Sequence, residues 1–158
     1  MTIKMKKKLQ LIKLNYYKDK RGLLTPFEFK NKKIKINNSL LFNVKRLFFV
    51  VGNKNYFRGN HAHKKCSQIL ICLNGKIKIK TKYKNNSKSF QISNKKGEAL
   101  FIPPMVWNRI YFINKNSSLA VLCDYKYDFK KEYINDYKEF KKLSSRLWAL
   151  KVLVILMI

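Results

Sequence analysis

Two histidines stand two residues apart in the stretch Arg58 to Gly75, RGNHAHKKCSQILICLNG, and they are the only histidines in the chain. The segment reads as extended, and in a strand side chains at i and i+2 point to one face. His61 and His63 therefore look the same way, and Ala62 looks the other way. A neutral imidazole with a pKa near its ordinary ~6.5 is the side chain best suited to moving a proton at neutral pH. A pair on one face, with Arg58 before it and lysines after it, points to acid–base work on a substrate with an acidic C–H. The competing reading, two hydrogen-bonded core residues, fits a lone histidine better than a pair.

A metal is the other chemistry such a pair invites. The spacing is that of the first cupin motif: His-x-His, four residues, an acidic position, six residues, glycine. Gln68 holds the acidic position, and Gly75 is the glycine. The second motif, G-x5-P-x-G-x2-H, is present in outline as Gly97 and Pro103, with Met105 at the glycine position and Asn108 at the histidine position. Two carboxamides thus replace the carboxylate and the third imidazole. Divalent metals prefer imidazole, thiolate or carboxylate ligands, so no metal and no other cofactor is expected.

Arginine matches the oxygens of a diphosphate with its planar fork. Among five arginines (Arg21, Arg46, Arg58, Arg109 and Arg146), Arg58 and Arg109 lie beside the two motifs. Arg46, on the apolar run Val44 to Val51, joins them as a candidate contact. Phe49 on the same run, like Phe48, Phe57 and Trp107, offers a face for a base or a sugar, although strand aromatics are more often core. Gln68 and Asn108 complete the candidate substrate contacts.

The elements that must hold these residues are short strands. Lys76 to Tyr83 alternates lysine with Ile77, Ile79, Thr81 and Tyr83 at period two, one face wet and one buried. Leu9 to Tyr17, Leu23 to Phe29 (with Pro26 forcing an edge or a late start), Ile34 to Ile36, Val44 to Val51, Cys66 to Leu73, Ser89 to Ser93, Ala99 to Ile102, Trp107 to Ile113 and Leu119 to Cys123 are further candidates. Asn74-Gly75 is the commonest hairpin turn signal. Strands at this spacing predict an all-β fold, a cupin-type antiparallel jelly roll or barrel. One short helix, Lys131 to Leu143, closes it. Residues 1–143 form one domain, followed by an apolar tail, 144–158, that is too short to span a bilayer. A packed element, a dimer contact and an interfacial anchor all remain open for that tail.

The formal net charge of +28 raises nucleic-acid binding,. The excess is nearly all lysine, scattered rather than gathered in one stripe, so no nucleic-acid partner is expected. It still favours anionic ligands such as a sugar diphosphate. An odd number of cysteines, Cys66, Cys72 and Cys123, and a lysine-rich start without an apolar run behind it, point to a reduced, cytoplasmic protein,.

Together RGLLTPFEF, NVKRLFFVV, RGNHAHKKCSQILICLNGKI, GEALFIPPMVWNRIYF and DYKYDFKKEYINDYKEF resemble the WxcM-like cupins. That family includes TDP-4-keto-6-deoxyglucose 3,4-ketoisomerases. The likeness runs from about residue 15 to 143, and RGxHAHK with IPPxxW is specific to this family among cupins. The usual PPG is PPM here, and the end of the chain does not match. The resemblance implies a metal-independent isomerase acting on a TDP-linked 4-keto-6-deoxyhexose, for 3-amino-3,6-dideoxysugars of surface polysaccharides. It implies His63 as general base with His61 as its partner, and a homodimer that exchanges N-terminal strands. A 3,5-epimerase on the same kind of substrate and a non-catalytic sugar-nucleotide-binding cupin are the alternatives.

Overall fold

A computed structural model describes residues 8–31, 33–37, 40–83 and 85–156, the last ten of these by backbone alone. The chain opens with β1 (Gln10–Lys13), β2 (Tyr17–Asp19) and β3 (Gly22–Leu24). Pro26 interrupts the next stretch, so β4 (Glu28–Lys30) starts after it, and β5 (Lys33–Lys35) and β6 (Leu41–Phe42) follow,. Then come β7 (Arg46–Val51), β8 (Phe57–His63), β9 (Gln68–Asn74), β10 (Lys76–Tyr83) and β11 (Asn86–Ser93). The last strands of the body are β12 (Glu98–Ile102), β13 (Trp107–Phe112) and β14 (Ser118–Cys123). A one-turn helix α1 (Phe129–Glu132), a two-residue strand β15 (Tyr133–Ile134) and a helix α2 (Tyr137–Leu156) finish the chain.

Two five-stranded antiparallel sheets face each other, in the orders β1-β12-β9-β14-β7 and β11-β10-β13-β8-β15. Their inner faces enclose a core of Leu70, Ile77, Ile79, Ile92, Leu100, Ile110, Phe112, Leu119 and Val121. Period-two burial in β10 holds for Ile77, Ile79 and Thr81, while Tyr83 at the strand's end is exposed,. The outer face of the first sheet is covered by the β4–β6 segment through Ile34, Ile36, Leu40 and Phe42. The outer face of the second is covered by Ile134 and Phe140 against Ala62 and Trp107. This is the all-β jelly roll that the strand spacing suggested.

Two local expectations change. Asn74-Gly75 is not a hairpin, because β9 pairs with β12 and β14 while β10 pairs with β11 and β13. The turn instead carries the chain from one sheet to the other, with Gly75 at φ +76° and no room for a Cβ against the Ser117 hydroxyl. The closing helix starts at Tyr137 rather than Lys131, since Tyr133 and Ile134 are drawn into the pairing with β8. Its first turn is capped by Asp136, whose carboxylate accepts the Glu139 N–H at 2.7 Å,. Its backbone continues without a break into the 144–158 tail as far as Leu156. The tail's side chains from 147 onward lie outside the described residues, as does most of the lysine-rich start. No helix among the described residues is long and apolar enough to cross a membrane.

Candidate active site

The site lies between the two sheets, where edge strand β7 and strand β8 part. A cleft of about 660 Å³ is lined there by Phe48, Phe49, Arg58, His61, Gln68, Asn108 and Tyr133 above the apolar core. That volume falls in the range of small-molecule sites.

A β-bulge sets up its polar wall. Asn108 pairs with His61 and Arg109 pairs with Gly59, so Asn60 is the extra residue, and the register shifts there,. Gly59 (φ +79°) and Asn60 (φ +64°) both take left-handed backbone, and a Cβ on Gly59 would sit 2.9 Å from the Asn108 carbonyl oxygen. The inserted residue turns Arg58 to the same face as His61, although they are three apart. Asn108 is buried and donates from Nδ2 to the His61 carbonyl at 3.4 Å. Gln68 is buried and donates from Nε2 toward the Cys123 sulfur at 3.7 Å.

The histidines share a face, as the spacing required, with ring centroids 5.0 Å apart and edge to face. His61 lines the cleft. His63 sits deeper, only 4% exposed, and neither of its ring nitrogens has a hydrogen-bond partner. Burial lowers the pKa of His61, against a backbone hydrogen bond at Gly59,. Burial, then His61, then the Arg46 guanidinium push His63 down to about 3,. Both rings are therefore neutral at physiological pH.

Tyr133, which the sequence reading absorbed into a helix, closes the site. Its ring packs on both histidines, at 4.9 Å from His61 and 4.4 Å from His63. Arg46 does not line the cleft. It lies behind Tyr133, donating from Nη2 to the phenolic oxygen at 3.3 Å and to the Cys123 sulfur at 3.5 Å. Burial raises the Tyr133 pKa, with Arg46 opposing, so the phenol stays protonated. Because its oxygen accepts from Arg46, its own O–H is left to donate. The Cys66 thiol, ahead of Arg46, pulls the Cys123 pKa down against the effect of burial. All three cysteines are free.

The remaining two candidate contacts differ in their place. Phe49 stands at the rim, 66% exposed, on the outward face of β7. Arg109 is not in the histidine cleft, because adjacent strand residues alternate faces and Asn108 takes the inner one. Arg109 instead donates from Nε to the Asn60 side chain at 2.6 Å and lies over Phe57. It lines a separate groove on the outer face with Lys80, Lys82 and Tyr111. Among the described residues no group of three or more His, Cys, Asp or Glu is placed to hold a metal ion.

Comparison with known proteins gives this arrangement its family. Residues 7–145 match the FdtA family, described as WxcM-like, C-terminal. The chain belongs to that family. It is 31% identical over 130 residues to the TDP-4-oxo-6-deoxy-alpha-D-glucose-3,4-oxoisomerase of Aneurinibacillus thermoaerophilus, over 82% of this chain and 87% of that one. The crystal structure of QdtA, a sugar 3,4-ketoisomerase from Thermoanaerobacterium thermosaccharolyticum in complex with TDP, superposes with TM-score 0.75. It is 32% identical, covering 87% of this chain and 95% of that one. The Mycobacterium tuberculosis rmlC epimerase shares the fold at TM-score 0.62 and 14% identity, over 77% of this chain and 66% of that one. The family expected from the HAH and IPPMVW motifs is the family found, and with it the expectation of an enzyme is met.

Proposed function

We propose that this chain is a 3,4-ketoisomerase of TDP-4-keto-6-deoxyglucose that works without a metal, by proton transfer from C3 to C4. The observation that carries the reading is a pair of neutral histidines, His61 half-buried and His63 buried, beside a protonated tyrosine, at one wall of a cleft of sugar-nucleotide size. The relatives that are 3,4-ketoisomerases, one of them holding TDP, support the substrate class.

The C4 ketone acidifies the hydrogen on C3. Neutral His63 removes that proton, the electrons of the C3–H bond form the C3–C4 double bond as the C4–O π pair moves onto O4, and O4 takes up a proton to complete the enediol. Return of a proton to C4 and loss of the C3 hydroxyl proton move the ketone to C3. No oxidant or reductant is consumed. His61 lines the cleft beside His63, ring centroids 5.0 Å apart, and hydrogen-bonds the sugar oxygens. Tyr133, Gln68 and Asn108 surround the same space and stabilise charge developing on the enediol oxygens. Arg58 holds the diphosphate, and Arg46 fixes Tyr133. Phe49 at the rim offers a face to the nucleotide.

A homodimer belongs to the same proposal. Leu47, Phe49 and Val51 are 50%, 66% and 71% exposed along the outward face of β7. This apolar stripe continues the surface covered by the β4–β6 segment, and such stripes mark contact surfaces. Here β1 pairs with β12 of its own chain, and exchange would make that pairing between subunits.

The test is incubation of the purified protein with TDP-4-keto-6-deoxyglucose and separation of the products. A 3-keto isomer is expected, and substrate recovered unchanged would overturn the reading.

A further inference from the structure

Behind the cleft wall, Arg46 brings a full positive charge to a place with no carboxylate to meet it. Among the described residues its side-chain acceptors are the Tyr133 phenol at 3.3 Å and the Cys123 sulfur at 3.5 Å, both reached from Nη2. The Phe48 and Tyr127 rings stand 5.0 and 5.1 Å from the guanidinium carbon, and the buried Nε has no partner. Strand register explains the meeting. Cys123 on β14 is paired with Arg46 on β7 and with Gln68 on β9, and directly opposite residues share a face. The three side chains therefore form one row across the sheet, with the buried sulfur in the middle. From the far side Gln68 donates from Nε2 to the same sulfur at 3.7 Å. Both flanking groups offer hydrogens, so the middle position calls for an acceptor, and the arginine favours a charged one. Of the groups that touch the guanidinium, the thiol is the more acidic, ordinarily ~8.5 against ~10 for a phenol.

We propose that Cys123 is held as a thiolate, the counter-ion of Arg46, and acts as a positioning residue for the site. It pins the guanidinium that holds the Tyr133 oxygen, and it fixes the Gln68 carboxamide at the cleft. The ion pair stands on the row of three side chains, and only its effect on turnover rests on the isomerase reading. The titratable groups around the sulfur agree with one negative charge there. The Cys66 thiol lies beside it, with a hydrogen that can turn to the sulfur or to the Ser67 carbonyl at 3.3 Å. Oε1 of Glu132 accepts the Cys66 and Lys65 N–H groups at 2.5 and 2.8 Å, so the residue before Tyr133 anchors this turn. The Asp124 carboxylate is engaged by the Ser67 N–H at 2.6 Å. Cys66 first, then Arg46 and Gln68, pull the Cys123 pKa down against burial, and Cys123 and burial push Cys66 up,. The thiolate also offsets Arg46 toward its neighbours. Burial and then Arg46 lower the pKa of His61, while burial and then Cys123 raise that of Tyr133.

The plainer role for Cys123 is that of a neutral core thiol filling space between the sheets. Cys123→Ser separates the two, because the hydroxyl still accepts from both neighbours while the charge is gone. The first readout is ultraviolet difference absorbance, in which a thiolate absorbs and a thiol does not. The unmodified protein at neutral pH is expected to show a thiolate signal that Cys72→Ser keeps and Cys123→Ser loses. Titration of the unmodified protein toward acid gives the same answer without a variant. In turnover, Cys123→Ser is expected to lower kcat by about 10-fold with KM little changed, the kind of loss that follows a misplaced group. With Arg46 uncompensated, His61 and Tyr133 both become more acidic, so both limbs of the pH profile move to lower pH. A space-filling thiol would move neither limb. No thiolate signal in the unmodified protein would overturn the proposal, and so would a Cys123→Ser protein with unchanged kcat and pH profile. Absence of isomerisation in the unmodified protein would instead overturn the isomerase reading, and the absorbance would still decide the ion pair.

Discussion

Tyr133 sits directly opposite His63 in the β15–β8 pairing, ring centroids 4.4 Å apart, with its phenolic oxygen held by Arg46. The hydroxyl is the part of this residue that chemistry would use, and the ring is the part that packs. Tyr133→Phe should therefore separate them. The expected outcome is kcat lowered by about 10²-fold, the scale of losing one donor to a developing oxyanion. Thermal unfolding should shift little, since the net contribution of one hydrogen bond is about 1 kcal/mol. Steady-state kinetics beside a melting curve checks both halves.

Arg58 and Arg109 flank the motifs alike in sequence and face opposite ways in the fold. Arg58→Ala should raise KM for the TDP-sugar by about 10-fold or more, the loss expected for a charge-assisted hydrogen bond to phosphate. Arg109→Ala should leave KM within about 3-fold, as for an exposed charge away from the ligand. Titration calorimetry with TDP on both variants reads the difference. Equal losses would return Arg109 to the substrate.

Acid should destabilise this protein through its histidines. The folded-state pKa of His63 is about 3, and that of an unfolded histidine is ~6.5. Between those values the unfolded chain binds a proton that the folded chain refuses, so stability is full above about pH 6.5 and falls as pH drops toward 3. The slope approaches about 1.4 kcal/mol per pH unit for one such site, and His61, shifted the same way, adds to it. Urea unfolding at pH 7.5 and pH 5 should show the loss, and His63→Asn should reduce it.

Prolonged chelation is expected to leave turnover intact. Gln68 and Asn108 occupy the positions where a cupin clasp has its carboxylate and third histidine, and carboxamides are poor ligands for divalent metals. Activity lost on chelation and restored by one particular metal would contradict this.

Much of this site is written in local patterns. The i, i+2 spacing of His61 and His63 fixes a shared face, and the strict alternation of Lys76 to Tyr83 fixes which side of β10 is buried. What sequence could not convey came from pairing between distant segments. Asn74-Gly75 carries the residues of a hairpin, yet its flanking strands find different partners, and only the sheet topology decides that. The bulge at Gly59-Asn60 turns Arg58 inward against simple alternation; a glycine followed by asparagine within a strand was its one visible trace. Glu132 and Tyr133 fit a helical period as well as they fit the chain's actual path. Their place beside His63 depends on a two-residue strand that no local pattern announces.

The most direct test is proton NMR of TDP-4-keto-6-deoxyglucose in D2O, without added metal, comparing the unmodified protein with His63→Asn. The account predicts a 3-keto sugar from the unmodified protein, its C4 signal distinguishing galacto from gluco product. It predicts turnover lower by ~10²-fold or more in the variant. Exchange at C5 without migration of the ketone, or a variant as fast as the original, would contradict it.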